Sequence, residues 1–251
     1  MTIHIKIVTV AAALVCGSST FAADWNLTFT GLGPAKVIGV NYNNNRSWSA
    51  GAVNNFSNYW AGQMKWHNND DGRSMDTFCT QIKEHISWNQ TVAYQQVALE
   101  MVPDSPPAPG PMGLAKATVL RDLYARFFHQ VHGSGDNVMN AAFQLVVWEI
   151  THENVTASTA TGALGQLNLG LGALQANSGN SASVVNCANN MLAQLGGDSD
   201  NDFRSFVRGD SMFGLRHDTA QDQIMIVPIP LPIGLAMVGL AGVVALRRRL
   251  R

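Results

Sequence analysis

The sequence predicts an α+β domain, a β-sandwich or barrel-like unit carrying a helical insertion, set between an N-terminal signal peptide and one C-terminal transmembrane helix. Three observations predict it. Residues 24–102 alternate apolar and polar side chains between Asn-, Ser- and Gly-rich turns. Residues 113–151 switch to the three-and-four spacing of helices. Both ends carry uninterrupted apolar runs with basic flanks.

The leader reads MTIHIKIVTVAAALVCGSSTFAA, with Lys6 ahead of an apolar run from Ile7 to Val15. Thr20 and Ala22 suit the −3 and −1 positions of a signal-peptidase site, so residues 1–22 are expected to be removed. The run is short for a bilayer span. Cys16 follows Leu14-Val15, without the small residue that lipoprotein cleavage needs, and leaves with the leader.

Within the exported part, 23–222, Trp25, Leu27 and Phe29 alternate with Asn26, Thr28 and Thr30, as a half-buried strand does. Further strands are expected at Lys36–Asn41, Gln63–Trp66, Asp76–Ile82 and Thr91–Met101. Asn43-Asn44-Asn45 and Asn68-Asn69-Asp70-Asp71-Gly72 supply turns between them. A Pro-rich loop, Pro103 to Pro111, closes the strand region.

Helix one is expected from Gly113 to about His129, with Ala117, Leu120, Tyr124 and Phe127 on one face. Helix two, about Val138 to Thr151, is apolar nearly all round, which predicts burial on most sides. Residues Thr161–Gly179 carry no assignable pattern. Helix three follows at Ala182–Leu195, then strands at Asp202–Leu215 and Gln221–Val227.

No charged side chain interrupts Ile224 to Leu246, after which come Arg247, Arg248, Arg249 and Arg251. A stretch of that length spans the hydrocarbon core as a helix. The arginines hold its end in the cytoplasm, so the preceding domain lies outside, anchored in the inner membrane. Residues 223–251 are therefore read as the tail. Without leader and tail arginines, sixteen Lys and Arg fall to eleven against seventeen acids, a charge near −6. That balance argues against nucleic acid as a partner.

The tail's Val227-Pro228-Ile-Pro230-Leu-Pro232, Gly-rich apolar helix and Arg cluster together resemble PEP-CTERM sorting signals, above all their Val-Pro-Leu-Pro-Ala variant. Ile229 stands where the main class has Glu, and Leu231 near where the variant has Ala. The resemblance implies an exosortase-type sorting enzyme as partner, with cleavage near the Pro motif and release or transfer to the surface of a Gram-negative cell. Thr77-Phe78-Cys79, the segment Ala142–Ile150 and Asp222–Pro228 look like parts of a recurrent group of such exported proteins. More distantly, they resemble the thioester domains of bacterial surface adhesins. There, a Cys near the domain start bonds to the Gln of a Thr-Gln-x-Ala-hydrophobic-Trp motif. Gln144 stands four before Trp148 as that motif requires, while Phe143 replaces its Thr and Val146 its Ala.

Three readings of the cysteines stay open. Cys79 and Cys187, the pair left after leader removal, suit a disulfide in an oxidising compartment. Cys187, beside Val184 and Met191 on helix three, also suits a small buried hydrophobe. The resemblance implies instead a Cys79–Gln144 thioester, able to acylate an amine or hydroxyl on a target surface. A carboxamide within an apolar helix needs partners in any case, and Gln144 could bond a strand backbone and pin the helix in register.

The remaining polar groupings are weak. Glu149 and His152 have the spacing of one half of a carboxylate metal site, and a single copy does not hold a metal. His129 and His132 sit at a helix end. Asp198, Asp200 and Asp202 alternate like calcium ligands, but Phe203 and Gly209 occupy the positions where an EF-hand needs Gly and Glu. No metal or cofactor is assigned, and no catalytic array is found, so the chain is not read as an enzyme. The expected role is structural or adhesive at the surface, in contact with extracellular polysaccharide or a surface amine. Covalent attachment through the thioester and a non-catalytic carbohydrate- or calcium-binding module are the alternatives.

Overall fold

The computed structural model describes residues 24–196 and 210–228. The expected leader, the alternating Asp198, Asp200 and Asp202, Pro230 and Pro232, the apolar tail and Arg247, Arg248 and Arg249 lie outside them. Among the described residues no helix is long and apolar enough to cross a membrane.

The fold is mixed α/β, with seven strands in one antiparallel sheet and four helices. The strands are β1 (Asp24–Tyr42), β2 (Ser57–Asn68), β3 (Ser74–Cys79), β4 (Thr91–Ala98), β5 (Leu174–Ala176), β6 (Asp210–Arg216) and β7 (Gln223–Pro228). The helices are α1 (Gly113–Val131), α2 (Asn137–His152), α3 (Ala160–Leu164) and α4 (Ser178–Leu192). The four described helices fall between β4 and β6 in the chain.

Hydrogen bonding runs β1–β2–β3–β7–β6–β4 and returns to β1, so six strands form a closed circuit. One long strand makes this closure. Its first residues, Asp24 to Thr28, pair with β4, while Leu27 to Val40 pair with β2. Its last three, Val40 to Tyr42, take β5 as an extra edge. Two register shifts, at Phe29/Gly31 and Leu32/Ala35, bend it between those partners. The sequence predicted two separate strands here, around Trp25–Thr30 and at Lys36–Asn41, with Gly31, Gly33 and Pro34 between them. They are bulge chemistry inside one strand.

Leu27 and Phe29 are buried between exposed Asn26 and Thr30, so the alternation does report a sheet face. Leu27, Trp66, Phe78, Tyr94, Leu215 and Ile224 meet α2 in a common hydrophobic cluster. Aromatic edges organise it: Trp66 lies edge-on to Phe29 at 5.3 Å and to Tyr94 at 5.6 Å.

Helix α2 starts where Asp136 caps it, its carboxylate accepting the N–H groups of Val138 and Met139 at 2.8 and 3.1 Å. From Asn140 to His152 every residue is buried, as an all-round apolar helix requires. It packs against β1, β2 and β3, and against α1 and α4. Asn177 caps α4 through Gly179, so that helix begins and ends a few residues ahead of the expected span.

Other boundaries shift for local reasons. Strand β3 stops at Cys79 rather than Ile82, since Thr80 N–H already bonds Asp222 O at 2.9 Å and the chain turns away. Strand β4 ends at Ala98, with Leu99–Met101 a 3-10 turn. The unassigned 161–179 region contains most of α3 and the short β5. Strand β7 hydrogen-bonds β6 and β3, so residues 223–228, drawn as the start of the tail, belong to the sheet.

Candidate functional site

Cys79 is the last residue of β3 and Gln144 lies midway along α2, 65 residues on, yet the two meet in the core. The Cys79 N–H donates to Gln144 Oε1 at 3.1 Å, and Gln144 Nε2 donates to Cys79 O at 2.8 Å. The Cys79 thiol lies 3.7 Å from the same Oε1. Gln144 is fully buried and Cys79 nearly so.

The helix presents Gln144, Trp148 and Thr151 at i, i+4 and i+7, on one face. That face meets the end of β3, because Thr151 Oγ1 donates to Thr80 O at 3.1 Å, just beyond Cys79. The far side of β3 is tied down by a buried chain. Trp66 Nε1 donates to Thr77 Oγ1 at 2.8 Å, which donates to Gln223 Oε1 at 2.8 Å. Asp222 N–H donates to Gln81 Oε1 at 2.7 Å, and Gln221 Nε2 to Gln81 O at 2.8 Å. The three segments singled out in the sequence, 77–79, 142–150 and 222–228, therefore converge.

Aromatic rings wall off one flank: Phe143 sits 4.7 Å from Phe78 and 4.9 Å from Tyr124. Burial pushes the Cys79 thiol up to about 12, against the Trp148 indole and backbone N–H groups, which favour the thiolate. The thiol is thus protonated at neutral pH. One buried group nearby, Tyr124 Oη, has no hydrogen-bond partner among the described residues.

On the other flank lies a cavity of about 440 Å³, lined by Cys79 and Trp148 at its base and by Tyr59, Trp60, His85 and Trp88 among others. Sequence reasoning did not single out Tyr59, Trp60, His85 or Trp88. Trp88 could have been singled out, since it sits in the polar turn Ser87-Trp88-Asn89-Gln90 rather than at strand spacing.

No protein-family model, no curated protein and no solved structure matches the chain. The geometry has to carry the reading alone.

It separates the cysteine alternatives. Cys79 and Cys187 are both free, so neither the Cys79–Cys187 nor the Cys79–Gln144 bond is formed in the structure. Cys187 is half-buried on α4, its sulfur 3.9 Å from Met139 Sδ, because α4 packs on α2 rather than on β3. Its surroundings are those of a small apolar side chain.

The weaker groupings have structural partners. Glu149 accepts Asn168 N–H at 2.6 Å, and burial holds its carboxyl well above the usual range. His152 Nδ1 sits 2.9 Å from Thr151 Oγ1, with burial pushing the imidazole down to about 3. His132 stacks on Phe128. No group of three or more His, Cys, Asp or Glu that could hold a metal occurs among the described residues. Val227 and Pro228 of the sorting motif pair with Ser211 and Asp210, at the last register positions of β7.

Proposed function

We propose that this is an exported surface protein, held by its tail or processed there by a sorting enzyme, that fixes itself covalently to a target through an acyl group stored between Cys79 and Gln144. The observation that carries the reading is the placement of the Cys79 sulfur 3.7 Å from Gln144 Oε1 while the Cys79 N–H donates to that same oxygen. In this reading the closed strand circuit is a barrel-like scaffold, and the helical insertion brings Gln144 to the end of β3.

The chemistry follows from those atoms. The sulfur attacks the Gln144 amide carbon, and negative charge grows on Oε1. The Cys79 N–H is already aimed at that oxygen, as an oxyanion donor is. The S–C bond forms, the C–N bond breaks, the thiol proton passes to the departing nitrogen and ammonia leaves. The product is shielded from water by Phe78, Phe143 and Trp148. A nucleophile arriving through the cavity takes the acyl group, and Cys79 returns to a thiol. One chain makes one bond, so this is attachment rather than turnover.

A second reading rests on the other half of the same contact. With Gln144 Nε2 donating to Cys79 O, the carboxamide occupies both backbone groups of one residue, as a neighbouring strand would. Gln144 is then a pin that fixes α2 against β3.

Methylamine separates the two. Added to the native protein, it should become attached at Gln144 and expose the Cys79 thiol, with no attachment in Cys79→Ala. Lack of attachment in the wild type leaves the pin alone.

A further inference from the structure

We propose that the cavity over Cys79 is a saccharide site, and that the acyl acceptor is a hydroxyl of a neutral sugar ring; this rests on the stored acyl group proposed above. Trp60 and Trp88 are 61% and 66% exposed, although both are among the largest apolar side chains in the protein. Both line the cavity that Cys79 and Trp148 floor. Exposed indoles at the mouth of a cavity offer flat π faces, against which the C–H groups of a sugar ring stack.

The fold makes room for one of these rings at a cost. Gly31 has φ +140°, and a Cβ there would lie 2.5 Å from Trp88 Cη2, so the Trp88 ring occupies the place of a side chain on β1. Phe29 braces it edge-on at 6.1 Å. Trp88 is therefore seated, though exposed.

The polar lining decides between acceptors. Asn58, His85 and Gln221 line the cavity, and among the described residues no Asp, Glu, Lys or Arg does. Amides and an imidazole both donate and accept, which matches hydroxyl groups. An ammonium would be drawn to the indoles, yet it finds no carboxylate there. The volume, about 440 Å³, falls within the range of small-molecule sites.

In the transfer, a ring hydroxyl oxygen bonds to the acyl carbon of Gln144 and the C–S bond breaks. The hydroxyl proton, accepted by His85, passes to the Cys79 sulfur, leaving an ester and a thiol.

The test incubates native protein with cellohexaose, with Nα-acetyl-lysine and with methylamine, and reads adducts by intact mass. Cellohexaose should form an ester adduct. Trp88→Ala should lower its yield at least tenfold and leave methylamine capture unchanged, because methylamine is too small to need a stacking face. His85→Gln should likewise slow ester formation with cellohexaose. Tryptophan-dependent capture of Nα-acetyl-lysine, with none of cellohexaose, would overturn the saccharide assignment in favour of an amine. If methylamine also fails to react, the stored acyl group is wrong. Quenching of tryptophan fluorescence by cellohexaose in Cys79→Ala, absent in Cys79→Ala with Trp88→Ala, would then still establish the sugar site, and no quenching would remove it.

Discussion

The Gln144 carboxamide holds both backbone hydrogen-bonding groups of Cys79, and its oxygen lies within 3.7 Å of the Cys79 sulfur. A side chain so placed serves the fold and presents an electrophile to a thiol at once. Mutations can separate the two roles.

Where the carboxamide is unreacted, Gln144→Ala strands the Cys79 N–H and C=O in the core. Each orphaned group costs about 1–3 kcal/mol, so the variant should lose roughly 2–6 kcal/mol in urea unfolding. Cys79→Ser keeps both backbone bonds and should cost about 1 kcal/mol or less while abolishing methylamine capture. Equal losses in the two variants would show that the backbone bonds contribute little.

Trp148→Phe removes the indole N–H that faces the Cys79 thiol, while keeping a ring edge-on to Tyr59. Stability should change by less than about 1.5 kcal/mol, as for other near-isosteric core swaps. The methylamine-reactive fraction should fall, since water gains access to the acyl carbon. An unchanged fraction after a day in buffer would remove Trp148 from the shield.

Gly31→Ala places a Cβ against the Trp88 ring and forces a positive φ on an L-residue. A loss of about 1–3 kcal/mol is expected. Trp88 fluorescence should shift to the red as the ring leaves β1, and no spectral change would mean that Trp88 does not depend on that seat.

Asp222 is fully buried, and desolvation raises its carboxyl from 3.8 to about 7, assisted by Glu84 and Asp104 and opposed by hydrogen bonds from the His217 and Asp104 N–H groups. Glu84 is also raised to about 7, so the two titrate together. A raised carboxyl binds its proton more tightly folded than unfolded. Its contribution is therefore complete below about 3.8 and is lost as pH rises through about 7. His152, held neutral by burial with its pKa lowered to about 3, acts oppositely: its contribution is present above 6.5 and is lost as pH falls through about 3. Comparison with Asp222→Asn cancels that background. The stability of the wild type relative to this variant should shrink from pH 4 to pH 8, and a constant difference would contradict the assignment.

Helix α2 was legible in the sequence, because a run that is apolar nearly all round, with only Gln144 and Glu149 interrupting 141–150, has few places to go. Gln144 and Cys79 could be named as a pair only through a motif resemblance, since nothing in local spacing joins residues 65 apart. The disulfide alternative came from counting cysteines, which says nothing about which face of α4 turns towards β3. The continuity of β1 was hidden by Gly31, Gly33 and Pro34, which look like a strand end and lie where its register shifts. Trp60 and Trp88 were hidden by composition: a tryptophan is more often core than surface, and only the folded chain places these two at a cavity mouth.

The mass of the intact, freshly purified protein bears on the stored acyl group most directly. A Cys79–Gln144 bond formed with loss of ammonia lowers it by about 17 Da from the sequence value, and Cys79→Ala shows no deficit. A wild-type mass equal to that of the unmodified chain, with two alkylatable thiols in the leader-free protein, would leave Gln144 as a structural pin and nothing more.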